Sequence, residues 1–204
     1  MNTHRYLGQL KQVGGRLCLD FINTVDRGDV GFLEEWLTDA IALINWGQQV
    51  QLLTPQQAEQ LRQQAQQQPK LAQSAFERAI ELREVLYHIF SAVSAGQPPL
   101  PSDLAHLNEE LAAAYSQSQL VWDGSKFVRL QMNGEQIDSI VWQIVKSTEE
   151  LLLDPMLDRV RECAGIDCGW IFLDTSRNHS RRWCDMEDCG NRAKARRHYN
   201  RSKR

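Results

Sequence analysis

The chain has 204 residues and a mass of 23.5 kDa, which allows one or two domains and excludes three independent ones. Hydrophobic residues make up 42% and charged residues 24%, so collagen-like, coiled-coil and disordered classes are excluded. No apolar run approaches the roughly 18 residues that span a bilayer. The polar N-terminus also has no signal-peptide pattern. We therefore expect a cytoplasmic protein with reduced thiols and no membrane association.

The net charge of −3 conceals two parts of opposite sign. Residues 1–154 contain 11 Lys or Arg and 19 Asp or Glu, whereas residues 155–204 contain 12 and 7. From position 176 onward, 10 basic residues stand against 3 acidic ones. A basic end on an acidic protein is typical of a segment that contacts a polyanion, and it is also found in solvated tails. The neighbouring cysteines decide between these interpretations.

Apolar side chains recur at helical spacing through most of the first 154 residues. The pattern predicts a helix over 17–25, or a strand that leads into one. It also predicts helices from Thr38 or Asp39 to Val50, from a capping box at Thr54, over 75–93, from Ser102 or Asp103 to Tyr115, and over 137–153. Asp123-Gly124 predicts a hairpin, because glycine tolerates the positive φ of a primed turn. Asp154 precedes a proline and marks a domain boundary. The fold class is therefore α+β, with a mainly α N-terminal domain that carries a small β-hairpin.

Four of the five cysteines lie within 27 residues near the C-terminus. Cys163 and Cys168 enclose four residues, Cys184 and Cys189 enclose four, and fifteen separate the two pairs. Two local thiolate pairs brought together can hold one tetrahedral Zn²⁺, whereas disulfides would not persist in a reducing cell. The spacing predicts one closed, structural zinc site, with two separate thiol pairs as the alternative. Cys18 lies on an apolar helix face and is expected in the core.

The residues between and after the cysteine pairs predict the rest of a small zinc-binding unit. A strand over 170–173 is expected to return as a hairpin through 181–183, and the last cysteine opens a helix over 190–201. A knuckle, a hairpin and a helix with a ligand in its first turn are the parts of a treble-clef-like zinc finger. Trp170 and Trp183 are expected to cover its small core, with base stacking as the alternative.

The predicted final helix is basic on two sides and has no wide apolar stripe. On a helical wheel Arg192 and Arg196 lie on one side, and Lys194, Arg197 and Arg201 lie on the opposite side. Two basic sides on a helix that adjoins a zinc site favour contact with DNA over a disordered, solvated tail. The expected DNA-contacting residues are Arg181, Arg182, Asn191, Arg192, Lys194, Arg196, Arg197 and Arg201.

The segment Cys189-Gly190-Asn191-Arg192, which follows Cys163-x4-Cys168 and Arg182-Trp183-Cys184, resembles the signature of the CGNR zinc-finger family of bacterial proteins. The segment from Leu17 to Thr24 and the segment Leu82-Arg83-Glu84 are similar to parts of the ABATE domain that precedes this finger. The resemblance covers essentially the whole chain. It implies a stress-linked transcription regulator whose first domain senses a ligand and whose finger binds DNA.

Arg83 lies inside the apolar stripe of the helix over 75–93, and a guanidinium on a buried face needs an anion or several acceptors. An internal ion pair, or a side chain that reaches the edge of the core, is one interpretation. The other is a ligand pocket that Arg83 forms with Asp20, Asn23 and Thr24, whose spacing presents three polar groups together. A surface position for Arg83, far from Asp20, would exclude the pocket.

The sequence predicts a transcription regulator with a sensory domain over 1–154 and a zinc finger over 155–204. Its expected partners are DNA and a small-molecule effector, with homodimerisation left open. The five histidines show no metal-ligand spacing, and the chain has no nucleophile or phosphate-loop motif, so we expect no enzymatic activity. The alternative is a zinc-stabilised protein-interaction module whose basic tail binds an acidic partner, and salt-dependent duplex binding separates the two.

Overall fold

The computed structural model describes residues 5–6, 9–27, 34–132, 136–166 and 168–202. The described residues form seven α-helices: α1 (Leu17–Ile22), α2 (Ala40–Gln49), α3 (Pro55–Gln67), α4 (Pro69–Ser94), α5 (Pro101–Ser116), α6 (Asp138–Leu152) and α7 (Asn191–Ser202). They also form six short strands: β1 (Arg5–Tyr6), β2 (Gln9–Leu10), β3 (Ser118–Trp122), β4 (Phe127–Gln131), β5 (Val160–Glu162) and β6 (Ile171–Leu173). A 3-10 helix spans Pro155–Arg159 and a π-helical turn spans Met186–Gly190. The protein is mainly helical, as predicted.

Local capping residues set the starts of α2 and α3. The Asp39 side chain accepts a hydrogen bond of 2.7 Å from the Ala42 amide at the start of α2. At the start of α3, the side chains of Thr54 and Gln57 each accept a hydrogen bond from the other's amide. Such bonds satisfy amide groups that have no partner within the helix. The capping box predicted from the sequence is confirmed.

Several helix boundaries differ from the predicted ones, and the largest difference is in α4, which begins at Pro69 and not at Ala75. Helix α1 ends at Ile22, because Val25 leaves the helix and forms a β-bridge with Glu35. Helix α5 begins at Pro101, just before the predicted cap, because the fixed φ of proline suits the first helical position.

The hydrophobic core surrounds the short helix α1, which packs against α4, α6 and β6. Phe21 is fully buried in this core and lies 5.3 Å from Trp46 between ring centroids. Cys18 is also fully buried, as predicted, and burial raises the pKa of its thiol to about 12. In the described part of the chain, no helix combines the length and the apolar character needed to cross a bilayer.

Strands β3 and β4 form the predicted hairpin, with Trp122 opposite Phe127 at its turn. Gly124 has a φ of +102°, a conformation that favours glycine. The Asp123 carboxylate accepts hydrogen bonds from the amides of Ser125 and Lys126, at 2.9 and 3.0 Å. The turn is therefore fixed by the two residues that predicted it.

The predicted return of the chain from 170–173 through 181–183 as a hairpin is wrong. Strand β6 pairs instead with β5, in an antiparallel register that places Val160 opposite Leu173. Both of these side chains are buried in the main core, whereas the returning segment is polar. The Arg181 amide in that segment donates 2.9 Å to the Asp174 carboxylate rather than to a strand. Burial of apolar side chains thus decided which segment pairs with β6.

The C-terminal region is packed on the N-terminal helices through shared hydrogen bonds. Asn23 in the loop after α1 exchanges two bonds with the backbone of Ile171, donating 2.8 Å to its carbonyl and accepting 2.9 Å from its amide. The Leu173 amide donates 2.8 Å to the Gly14 carbonyl. Strand β6 is therefore a structural element of both regions.

Candidate metal centre and basic surface

Two turns of the backbone bring the four C-terminal cysteines together. Cys163 follows β5 and Cys168 precedes β6, and the Cys163 amide donates 2.8 Å to the Trp170 carbonyl. Cys184 ends the segment that returns from Asp174, and Cys189 lies in the π-helical turn before α7. The turn between β5 and β6 thus supplies Cys163 and Cys168, and the segment before α7 supplies Cys184 and Cys189.

The sulfur atoms have the spacing of a tetrahedral metal site. All four cysteines are buried, and their sulfur atoms lie within 4.8 Å of one another. The sulfurs of Cys168 and Cys184 are 3.6 Å apart, as are those of Cys184 and Cys189. Four sulfurs at the Zn–S distance of about 2.3 Å would be separated by about 3.8 Å. The residues present therefore fit one Zn²⁺ ion.

Hydrogen-bond donors surround the sulfur atoms. The Cys163 sulfur accepts from the amides of Gly165, at 3.4 Å, and Cys184, at 3.2 Å. The Cys189 sulfur accepts 3.0 Å from the Arg192 guanidinium. Donors of this kind stabilise thiolates and fix their orientation, as expected around a metal ligand set.

The pKa values of the cysteines reflect how closely the four thiols are packed. Hydrogen bonding with Cys168 and Cys184 lowers the pKa of Cys163 to about 7. Hydrogen bonding to Cys163 in turn raises the pKa of Cys168 and that of Cys184. One negative charge is favoured in this buried cluster and further ones are opposed, because the thiols are so close. Four thiolates can coexist here only around a divalent cation.

Comparison with known proteins gives two matches that together cover most of the chain. Residues 15–155 match ABATE, described as a putative stress-induced transcription regulator, and residues 159–202 match the CGNR zinc finger. The chain belongs to the ABATE family. Its C-terminal region is a CGNR zinc finger, and the four cysteines supply the ligands for one structural zinc ion, as the spacing predicted. No curated protein matches the chain.

The ABATE domain supplies part of the core around the cysteines. Trp36 packs with the four cysteines and lies 5.8 Å from Trp170, with the two rings edge to face. The Trp170 indole donates 3.2 Å to the Val25 carbonyl. Gly169 lies so close to Arg27 that an added Cβ would be 2.7 Å from the Arg27 Cβ. Trp170 covers the core of the finger, as predicted.

An ion pair joins the N-terminal segment to the π-helical turn. The Lys11 ammonium group donates 2.7 Å to Asp185 and 2.6 Å to Asp188. Burial acts to lower the pKa of Lys11, but its hydrogen bonds to the two carboxylates dominate and raise it. No local pattern predicts this ion pair, because its partners are more than 170 residues apart in the chain.

A groove with a volume of about 290 Å³ lies between the loop over 164–166 and helix α7. Four arginines line this groove, Arg192, Arg196 and Arg197 from α7 and Arg182 from the segment before Cys184. The helical wheel groups Arg197 with Lys194 and Arg201 on the side opposite to Arg192 and Arg196, and for Arg197 this prediction is wrong. In the structure Arg197 faces the groove, because the groove spans a wide sector of the helix. Lys194 and Arg201 lie outside the groove, because they are about 100° or more around the helix axis from the middle of the sector that lines it.

Arg181 has a different environment from the arginines of the groove. Its guanidinium donates hydrogen bonds to three main-chain carbonyls, those of Val13, Trp183 and Cys184. It also lies 4.3 Å from the ring centroid of Phe172. These contacts hold the segment before Cys184 against Phe172 of the finger and against Val13 of the N-terminal segment. Arg181 therefore has an internal structural role in addition to its predicted DNA contact.

Asn191 and Arg182, two further predicted contacts, lie at the surface. The Asn191 amide donates 2.9 Å to the Glu187 carbonyl and so closes the start of α7. The Arg182 guanidinium lies 5.5 Å from the ring centroid of Trp183. Trp183 itself is half-buried and lines the groove.

Arg83 is buried, with 2% of its surface exposed, and its charge is satisfied by internal partners. Its guanidinium donates two bonds to Glu35, at 2.8 and 2.5 Å, and a third of 3.1 Å to the Thr24 hydroxyl. A fourth bond of 3.2 Å reaches Glu84, which also holds Arg27 at 2.6 and 2.8 Å. The internal ion pair that was one of the two interpretations is present.

The other two residues of the predicted pocket contact different partners. Asp20 accepts 2.8 Å from the Gly14 amide, and burial raises the pKa of this carboxyl to about 6. Asn23 is engaged with strand β6. The structure thus brings Thr24 and Arg83 together, while Asp20 and Asn23 each bond to a separate part of the backbone. Ligand binding by these four residues stays a prediction, and their contacts favour a structural role.

Proposed function

We propose that this ABATE-family protein regulates transcription by binding DNA through the groove side of helix α7. The observation that carries the proposal is the placement of four arginines around one groove beside the metal centre. In the described part of the chain, the guanidinium groups of Arg182 and Arg196 have no carboxylate partner. Their charge is therefore available to phosphate oxygens.

The metal centre supports this use of the helix. When bound, zinc would fix Cys163 and Cys168 relative to the start of α7. The four thiolates and the ion together carry a charge of about −2, which offsets only part of the basic excess of the last 29 residues. Arg192 compensates this charge locally through its bond to Cys189. The remaining arginines keep the surface attractive to a polyanion.

The ABATE domain would act as the sensor on this proposal. Trp36 forms part of the core around the cysteines, and Glu35, the residue before it, is held by Arg83. A small molecule that alters the position of this segment would also alter the support of the finger.

Salt-dependent binding of a fluorescent DNA tests the proposal. We expect the zinc-loaded full chain to bind a mixed-sequence duplex or single strand at 50 mM salt. If four phosphates are neutralised, the affinity should fall about 100-fold between 50 and 200 mM salt. Failure to bind either form of DNA at 50 mM salt would overturn the proposal and favour the protein-interaction alternative. Polyglutamate of a length similar to that of the DNA is added as a competitor of DNA binding that represents an acidic protein partner.

A further inference from the structure

The groove beside the metal centre has an apolar lining as well as arginines. Apolar groups make up most of its lining surface, with contributions from Ala164, Ile166, Trp183 and Ala193. Ile166 is 54% exposed although it is a large aliphatic residue. A phosphate group alone requires charge and hydrogen-bond donors, so it gives no reason for this apolar surface. The lining therefore indicates a ligand with an apolar or aromatic part beside its anion.

The groove contains an aromatic ring next to a guanidinium, the two groups from which a stacking platform is built. Trp183 is half-buried: it packs partly against the core around the cysteines, as predicted, and the guanidinium of Arg182 lies 5.5 Å from its ring centroid. Nucleobases stack on aromatic rings and on guanidinium planes. In duplex DNA the base faces are already stacked on one another, so only an unpaired nucleotide offers a free face to such a platform. The volume of about 290 Å³ lies at the lower limit of small-ligand pockets and suits one nucleotide.

The arginines are placed to hold the phosphate of the same nucleotide. Arg196 and Arg197 line the groove from α7, and Arg192 lines it next to the cysteines. The bond between Arg192 and the Cys189 sulfur, 3.0 Å long, fixes one wall of the groove to the metal ligands. Because the platform and the arginines belong to one metal-held unit, their separation is set before a ligand binds.

We propose that this groove binds one nucleotide of an unpaired DNA strand, with its base against Trp183 and its phosphate between Arg196 and Arg197. This inference rests on the proposed function, and it specifies single-stranded DNA as the preferred form of the polyanion. The other occupant of such a groove, the sugar-phosphate ridge of a duplex, is an outcome of the test.

The experiment compares a 15-nucleotide oligothymidylate with a 15-base-pair duplex by fluorescence anisotropy at 100 mM salt, using the zinc-loaded full chain. We expect the single strand to bind at least 10-fold more tightly. Trp183→Leu should weaken single-strand binding about 10-fold or more, because stacking on an aromatic residue contributes about 1–3 kcal/mol per base. Duplex binding should change less than 3-fold.

Two matched controls separate stacking and local charge from general effects. Trp183→Phe keeps an aromatic face, so we expect it to retain single-strand affinity within about 3-fold. Quenching of tryptophan emission by the oligonucleotide should nevertheless be lost in this variant, because Trp183 is the stacked residue. Arg196→Gln with Arg197→Gln should weaken binding at least 10-fold more than Lys194→Gln with Arg201→Gln, which removes the same charge outside the groove.

Two outcomes would overturn the inference of single-strand binding but would leave the proposed function intact. Equal or tighter binding of the duplex, unaffected by Trp183→Leu, would show that the groove holds a duplex backbone or is not used. Equal losses of affinity in the Arg196/Arg197 double variant and the Lys194/Arg201 double variant would show that binding depends only on net charge. A zinc content of one per chain in each variant confirms that the finger is intact. Absence of all DNA binding would instead overturn the proposed function itself.

Discussion

The two hydrogen bonds between Asn23 and Ile171 are the contact whose removal tests most directly how the finger is held to the ABATE domain. Asn23 is 2% exposed and Ile171 is fully buried, so water cannot replace the lost amide group. Asn23→Ala leaves one amide and one carbonyl of Ile171 without a partner. Each unsatisfied buried group costs about 1–3 kcal/mol. We expect the free energy of unfolding to fall by about 3 kcal/mol, and the Tm by about 6–12 °C.

Urea denaturation of the zinc-loaded chain, followed by tryptophan fluorescence and by circular dichroism, measures this loss. Gln56→Ala, on the exposed side of α3, is the control and should change stability by less than about 0.5 kcal/mol. Asn23→Asp keeps the acceptor but loses the donor and buries a charge, so it should destabilise at least as much as Asn23→Ala. A loss below about 1 kcal/mol for Asn23→Ala would refute the structural role of this amide.

Three further perturbations test other parts of the structure. Arg83→Met should lower the free energy of unfolding by about 2–4 kcal/mol, because it leaves the Glu35 carboxylate without its buried partner. In a double-mutant cycle, the variant that combines Arg83→Met with Glu35→Met should recover part of this loss. An unchanged stability of Arg83→Met would contradict the ion pair. Burial raises the pKa of Asp20 to about 6, above that of an unfolded carboxyl, so its contribution to stability is present below about pH 4 and is lost as the pH rises to about 6. Asp20→Asn should therefore make the free energy of unfolding depend less on pH between about pH 4 and 6, and it should stabilise the chain at pH 7 by about 1–2 kcal/mol. If urea titrations show the same pH dependence in this variant as in the parent chain, Asp20 does not titrate in this way. Chelation of zinc, or Cys189→Ser, should lower the Tm of the whole chain in one calorimetric transition, whereas a second transition at the original temperature would show that the two regions unfold separately.

The features that could be predicted from the sequence are those set by residues close together in the chain. The capping box at Thr54, the turn at Gly124 and the spacing of the cysteine pairs each depend on a few neighbouring side chains. The burial of Arg83 also followed from its place in an apolar stripe. In each case local chemistry and the final structure agree.

The features that could not be predicted depend on contacts between distant segments. Glu35 is 48 residues from Arg83, and nothing in its surroundings identifies it as the partner. The pairing of β6 with β5 follows from burial in a core that the ABATE helices complete. The wheel groups Arg197 with Lys194 and Arg201, and only the packed loop over 164–166 shows that Arg197 faces the groove together with Arg192 and Arg196. These arrangements are decided by tertiary packing, which local patterns do not contain.

The zinc finger in this protein depends on residues of the ABATE domain as well as on the ion. A unit of about 45 residues seldom buries enough apolar surface to fold without additional stabilisation. Here zinc supplies one source, and Trp36 supplies another by packing with the four cysteines. The groove on α7 is built on this shared core, because Arg192 contacts the Cys189 sulfur. A substitution at Trp36 is therefore expected to weaken the support of the groove as well as the core around the cysteines.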